Sequence, residues 1–205
     1  MPKVTEAHLE ARRHQIMDAA AACFCRNGFH HSTMHDICQQ AQLSPGAVYR
    51  YFSGKEEIIE SMLRERQRSS AAIIEAARGL GSTIEVFDEL ADVFFSHLED
   101  PQSCALSVEL QAEALRSPRI RDALLCELRN VTGPFADLVR SAQAAGEINP
   151  SLDPEAIAQV MVSFFDGLIL QKATDGSIDV WKYVAVMKAM MQGKFWNRDT
   201  LEGGS

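Results

Sequence analysis

The sequence of this 205-residue chain predicts an all-α protein: an N-terminal three-helix helix-turn-helix domain plus a larger C-terminal helical domain, about nine helices in total. Apolar residues recur at three- and four-residue spacing along nearly the whole length, and no stretch alternates as a half-buried strand does. Gly and Pro punctuate those periodic runs, and an apolar fraction of 46% is ample for a core. The chain is read as two domains, 10–70 and 71–197.

Residues 1–8 read as a frayed arm. From Leu9 the first helix runs to about Asn27, with Ile16, Ala20, Cys23, Phe24 and Asn27 as its packing stripe, and Gly28 stops it by taking positive φ. Thr33 caps the next helix, which turns Met34, Ile37, Cys38 and Ala41 inward and Asp36, Gln39 and Gln40 outward. Leu43 closes a tight corner. Ser44 then caps a helix from Gly46 to Phe52, with Pro45 at the first position, where its missing N–H costs nothing. Val48 and Phe52 pack inward at i and i+4, while Tyr49, Arg50 and Tyr51 suit neither a core nor a plain solvated face. Two helices at 33–52 joined by so short a corner form a helix-turn-helix, whose second helix enters the major groove of duplex DNA.

Ser53-Gly54 turn the chain into a long helix from Lys55 to Ala77, with Ile58, Ile59, Met62 and Leu63 on one face. This helix leaves the first domain and enters the second, so it is the natural mechanical link. Five more helical stretches follow: Ile84–Leu98, Ser103–Leu115, Arg119–Ala145 with a bend near Gly133-Pro134, Pro154 to about Asp175, and Ile178–Phe195. The Leu201–Ser205 tail reads as disordered.

Thr33, Ile37, Ala41, Leu43-Ser44, Gly46, Val48-Tyr49, Tyr51-Phe52 and Lys55-Glu56 resemble the DNA-binding signature of the TetR family of transcriptional regulators, over about Glu10 to Ser70. Beyond that the chain resembles the family only in length and helicity. The resemblance implies a homodimeric repressor on palindromic double-stranded operator DNA, released by a small-molecule effector. It also implies roles. Ser44, Pro45, Gly46, Ala47 and Arg50 face base edges or nearby phosphates; Tyr49, Tyr51 and Lys55 grip phosphates; Thr33 presents a helix N-terminus to one. Physically, Lys55 at a helix start adds charge to free N–H groups, and Arg50 is the side chain best able to bond guanine O6 and N7 together.

The net charge of −8 fits this reading once divided. Residues 1–70 carry nine Lys/Arg against eight Asp/Glu, and the rest carry eleven against twenty, so the surplus acid lies in the second part. No apolar run approaches the roughly 20 residues of a membrane span, and the N-terminus lacks a secretory signal, so the chain is expected to be soluble and cytoplasmic. The five cysteines (Cys23, Cys25, Cys38, Cys104, Cys126) lack CxxC spacing and read as reduced thiols; neither a metal nor a cofactor is implied, and no enzyme motif is present.

Apolar walls with a few polar groups make a ligand pocket, and Phe94, Phe95, His97, Glu109, Glu113, Met161, Phe164, Phe165 and Asp166 offer both. Glu109 and Glu113, one turn apart, hint at a cationic or hydrogen-bonding ligand. By resemblance the last two helices form a four-helix dimer interface through Ile157, Val160, Phe164, Gly167, Leu168, Val184, Met187 and Met191. Two rival readings are a regulator that senses oxidants through Cys23, Cys25 or Cys38 and a helical small-molecule-binding protein or enzyme without DNA binding.

Overall fold

The computed structural model describes residues 6–77, 92 and 97–192. Among them are eight α-helices and no strand: α1 (Glu6–His31), α2 (Met34–Ala41), α3 (Pro45–Val48), α4 (Lys55–Ala77), α5 (Pro101–Ala114), α6 (Pro118–Ala144), α7 (Pro154–Thr174) and α8 (Val180–Met191). A 3₁₀ turn, His97–Glu99, precedes α5. The helix expected at 84–98 and the tail lie almost wholly outside the described residues.

Four helices open on one device, a capping Ser or Asp followed by Pro: Ser44-Pro45, Asp100-Pro101, Ser117-Pro118 and Asp153-Pro154. Each cap accepts free first-turn N–H groups, and each proline sits where it has no N–H to lose. The Asp100-Pro101 pair is therefore a helix start. Asp100 accepts from the N–H of Gln102 and Ser103, so α5 begins two residues before the position the spacing suggested. Gly28 interrupts α1 at φ 75°, ψ 162°, yet the chain completes one more turn to His31. Asn27, expected on the packing stripe, is exposed; Met17, Ala19 and Phe29 are buried in its place.

Two apolar cores result. The first gathers Ile16, Ala20, Phe24, Ile37, Val48, Phe52, Ile58 and Ile59 from the four N-terminal helices, and continues through Leu110, Ala114 and Ile120 of α5 and α6. The N-terminal domain is thus packed onto the second domain as well as joined to it by α4. The second core holds Leu98, Cys104, Leu168, Ile169, Val180, Val184 and Met187.

This packing corrects part of the expected dimer stripe. Leu168, Val184 and Met187 are buried within the chain. What α7 and α8 expose instead is Val160 (66%), Leu170, Val186 (51%) and Met190 (55%). On α7, Val160, Ser163, Gly167 and Leu170 follow at three- and four-residue steps, as do Tyr183, Val186 and Met190 on α8, so each set forms one stripe. Helix α7 has 21 residues and a mean hydropathy of 1.2, enough by length and composition to span a membrane. That revises the expectation that no run comes near a span. Its Asp166, hydrogen-bonded by Gln111 of α5, and its packed Leu168 and Ile169 are those of a bundle helix.

Candidate nucleic-acid interface and its attachment

The helix-turn-helix is built by caps. Thr33 Oγ1 accepts the Asp36 N–H at 3.1 Å, while Asp36 Oδ2 accepts the Thr33 N–H at 2.8 Å, so two free donors are satisfied reciprocally. The Thr33 hydroxyl also donates to Asp36 Oδ2 at 2.7 Å, and that bond first, then the one from the Thr33 N–H, holds the Asp36 carboxyl below the usual range. At the far end Gln42 takes the left-handed conformation at φ 55°, and its N–H returns to Cys38 and Gln39 carbonyls. Gln15 of α1 ties the Ala41 carbonyl at 2.7 Å, fixing α2 against α1.

Helix α3 is shorter than the spacing suggested. It is regular only over Pro45–Val48, and the chain then tightens, with the N–H of Tyr51 and of Phe52 both donating to the Val48 carbonyl. Val48 and Phe52 are buried, as their i, i+4 spacing requires. Ser44, Pro45, Gly46 and Arg50 are exposed, Tyr49 is 53% exposed, and Ala47 and Tyr51 are half-buried. Among the described residues no hydrogen bond or ion pair engages the Arg50 guanidinium. Arg13, by contrast, is part of the scaffold: it stacks over Phe52 at 4.5 Å and donates to Ser61 Oγ at 3.0 Å and to the Tyr51 carbonyl at 3.4 Å.

Lys55 has a structural role beside the expected one. Its ammonium donates to the carbonyls of Phe29 and Ser32 at 2.6 and 2.7 Å and lies 4.3 Å from the Phe29 ring centroid. Two of its three protons are thereby committed to the corner between α1 and α2, which leaves one for a phosphate. Burial, opposed by Glu113 and Glu56, lowers the Lys55 pKa.

Glu109 and Glu113 are likewise placed at this corner rather than around a cavity. Glu109 Oε2 accepts the Phe29 N–H at 3.2 Å, and the Glu113 carboxylate, only 5% exposed, lies 2.9 Å from His30 Nε2. Phe94, Phe95 and the side chain of His97 lie outside the described residues. Met161, Phe164 and Phe165 lean on the second core. Asp166 accepts from Gln111 Nε2 at 3.0 Å, and burial pushes its pKa up. Beside it Arg66 of α4 forks onto buried Glu127 of α6 and reaches Ser107 of α5 at 3.2 Å. Sequence reasoning passed over Arg66, Gln111 and Glu127, since a polar residue on an amphipathic helix usually marks the solvent side. An open cleft of about 370 Å³ between α6 and α7, lined by Thr132, Pro134, Asp137, Arg140, Glu155 and Gln159, contains none of the expected pocket residues.

The thiols weigh against oxidant sensing. Burial pushes Cys23, Cys25, Cys38 and Cys104 up, away from the reactive thiolate.

Residues 16–62 match the family model for bacterial regulatory proteins of the tetR family, and residues 85–193 match that for the C-terminal part of BetI-type transcriptional repressors. The chain is 28% identical to the HTH-type transcriptional regulator UidR of Escherichia coli K12 over 190 residues, covering 92% of this chain and 94% of the relative. Among solved structures it resembles Salmonella enterica GusR with a TM-score of 0.75 and 28% identity, over 94% of this chain and 98% of that one. It also resembles FadR from Bacillus subtilis, solved in complex with stearoyl-CoA, with a TM-score of 0.71 and 21% identity, over 89% and 95% of the two chains. A capped helix-turn-helix, a second domain without strands among its described residues and matches to both halves lead to one conclusion: the chain belongs to the TetR family of helix-turn-helix transcriptional regulators.

Proposed function

We propose that this regulator is a homodimeric repressor that holds a palindromic operator in the cytoplasm and lets it go when a small molecule enters its helical domain. The observation that carries the reading is the short α3, anchored by Val48 and Phe52 and presenting Tyr49 and a guanidinium at Arg50 to solvent. Arg50 reads guanine. Ser44, Pro45, Gly46 and Ala47 approach base edges or phosphates with little side-chain bulk, Tyr49 and Tyr51 donate to phosphates, and Thr33 offers the N-terminus of α2 to another.

Two copies pair through the exposed stripes of α7 and α8. Val160, Leu170, Val186 and Met190 form apolar surface that water disfavours, and Ser163 and Gly167 between them let two backbones come close. Pairing sets the two α3 helices about 34–36 Å apart, one duplex turn, so that both enter the major groove on one face. The domains divide near residues 70–71, α4 crossing between them.

The effector lies against the polar centre formed by Arg66, Gln111, Glu127 and Asp166, with Met161, Phe164 and Phe165 alongside. A FadR neighbour that carries stearoyl-CoA supports an organic effector within this fold. Arg66 belongs to α4, so a ligand competing for its hydrogen bonds acts directly on the link to the DNA-binding domain. The reading is of a binding protein rather than an enzyme.

A mobility-shift titration with the chain's own upstream DNA tests it. Wild type is expected to retard that duplex as a dimer, and Arg50→Ala to lose the preference over a shuffled duplex. Equal retardation of both duplexes by wild type would contradict the assignment.

A further inference from the structure

The corner between α1 and α2 is held by three side chains from two other helices. Gly28, at φ 75° and ψ 162°, breaks the α1 ladder and frees the Phe29 N–H, which donates to Glu109 Oε2. One residue on, His30 Nε2 meets Glu113. The carbonyls on the other side, Phe29 and Ser32, both accept from Lys55 at the start of α4. Ser32 directly precedes Thr33, the cap of α2, so any movement of the corner carries the helix-turn-helix with it.

Glu109 and Glu113 stand one turn apart on α5, which belongs to the second domain. Their carboxylates serve α1 at i and i+4, one on a backbone N–H and one on a ring nitrogen. Neither contact adds much apolar burial, since Leu110 and Ala114 on the same helix already supply it through the first core. What the carboxylates add is direction: hydrogen bonds depend on angle, whereas apolar packing is non-directional and tolerates sliding.

We infer that Glu109 and Glu113 are positioning residues for DNA reading: a carboxylate pair of the second domain that fixes the pitch of the helix-turn-helix through the Phe29–Ser32 corner. Beside the shared apolar core, the DNA-binding domain is then tied by α4 through the backbone and by α5 through this clasp. Rotation of one relative to the other tilts α2 and α3. The clasp rests on the assignment of α3 as the DNA reader, and it predicts more than that assignment does.

Full-length variants test it. The perturbing variant is Glu109→Ala with Glu113→Ala, and the conservative one is Glu109→Gln with Glu113→Gln, whose amide oxygens still accept a hydrogen bond. Ile120→Val, in the shared core, serves as a control for lost stability. Each is titrated with the chain's own upstream duplex and with a shuffled duplex of the same length, and thermal unfolding is followed in parallel. The alanine pair is expected to lower upstream-duplex affinity about 5- to 150-fold, the usual range of coupling between sites, with shuffled-duplex affinity held within about two-fold. The glutamine pair is expected to recover most of the loss, and Ile120→Val to leave the ratio of the two affinities unchanged. A ratio that stays at the wild-type value in the alanine pair, whether both affinities hold or fall together, overturns the inference. The wild-type preference itself tests the preceding assignment, so the two failures are distinguishable.

Discussion

Replacing Lys55 with Met removes an ammonium while keeping an unbranched stem of similar length. The structure says what that ammonium does: it satisfies the carbonyls of Phe29 and Ser32 and lies over the Phe29 ring. Hydrogen bonds involving a charged group contribute about 1.5–3 kcal/mol each, and a cation over an aromatic ring about 0.5–1 kcal/mol where water still has access. Against this stands the desolvation of the ammonium, visible as the lowering of its pKa by burial. A net loss of about 2–4 kcal/mol follows, which for a chain of this size lowers Tm by about 4–16 °C. A Lys55 devoted to phosphate would behave differently. Its loss would leave Tm unchanged, weaken binding to every duplex alike, and reduce the slope of log affinity against log salt by about 1. Calorimetric unfolding and a salt titration on one preparation separate the two. A Tm within about 1 °C of wild type, together with a slope reduced by a full unit, would refute the corner role.

Other outcomes follow from the same geometry. Arg50→Ala is expected to cost about 1–3 kcal/mol on the cognate duplex and little on a shuffled one, read by fluorescence anisotropy. Val186→Glu, on the exposed stripe of α8, is expected to give folded monomers by light scattering, whereas Leu168→Glu, buried in the second core, is expected to unfold the second domain by circular dichroism. Asp36 has a folded pKa below the ordinary 3.8, so its contribution is present above that pH and lost as pH falls through the lower, folded value. The Tm difference between wild type and Asp36→Asn should therefore be full near neutrality and shrink in acid; a difference that persists unchanged at the acid end would contradict the capping-box account.

The fold was legible where local chemistry is explicit. Thr33, Ser44-Pro45 and the Val48–Phe52 pair each state a cap or a buried face, and those caps and buried side chains stand where the spacing put them, although α3 itself is regular only over Pro45–Val48. The long helix begins at Lys55, as expected, and is helical through Ala77, where the described stretch ends. What escaped was long-range. Glu109 and Glu113 look like pocket groups because nothing local says that Phe29 N–H and His30 lie beside them, roughly eighty residues earlier in the chain. Lys55 at a helix start looks like a phosphate ligand for the same reason. The Arg66–Glu127 pair joins residues 61 apart, and each alone reads as a solvated charge. Leu168, Val184 and Met187 enter the expected dimer stripe by resemblance, and the apolar character of α7 and α8 does not contradict it. Periodicity finds an apolar side without saying whether its own chain or a second copy covers it.

The central claim, that two copies of this chain present paired α3 helices to duplex DNA, is tested most directly by selection from a randomised duplex pool. Full-length protein is mixed with the pool, bound duplexes are recovered and sequenced over several rounds, and the protomers per duplex are counted by light scattering. The account predicts a two-fold symmetric consensus whose half-site centres lie about 10–10.5 base pairs apart or at a multiple of that spacing, bound by an even number of protomers, with Arg50→Ala losing a guanine from each half-site. An unenriched pool, or a single asymmetric site bound by one protomer, would contradict it.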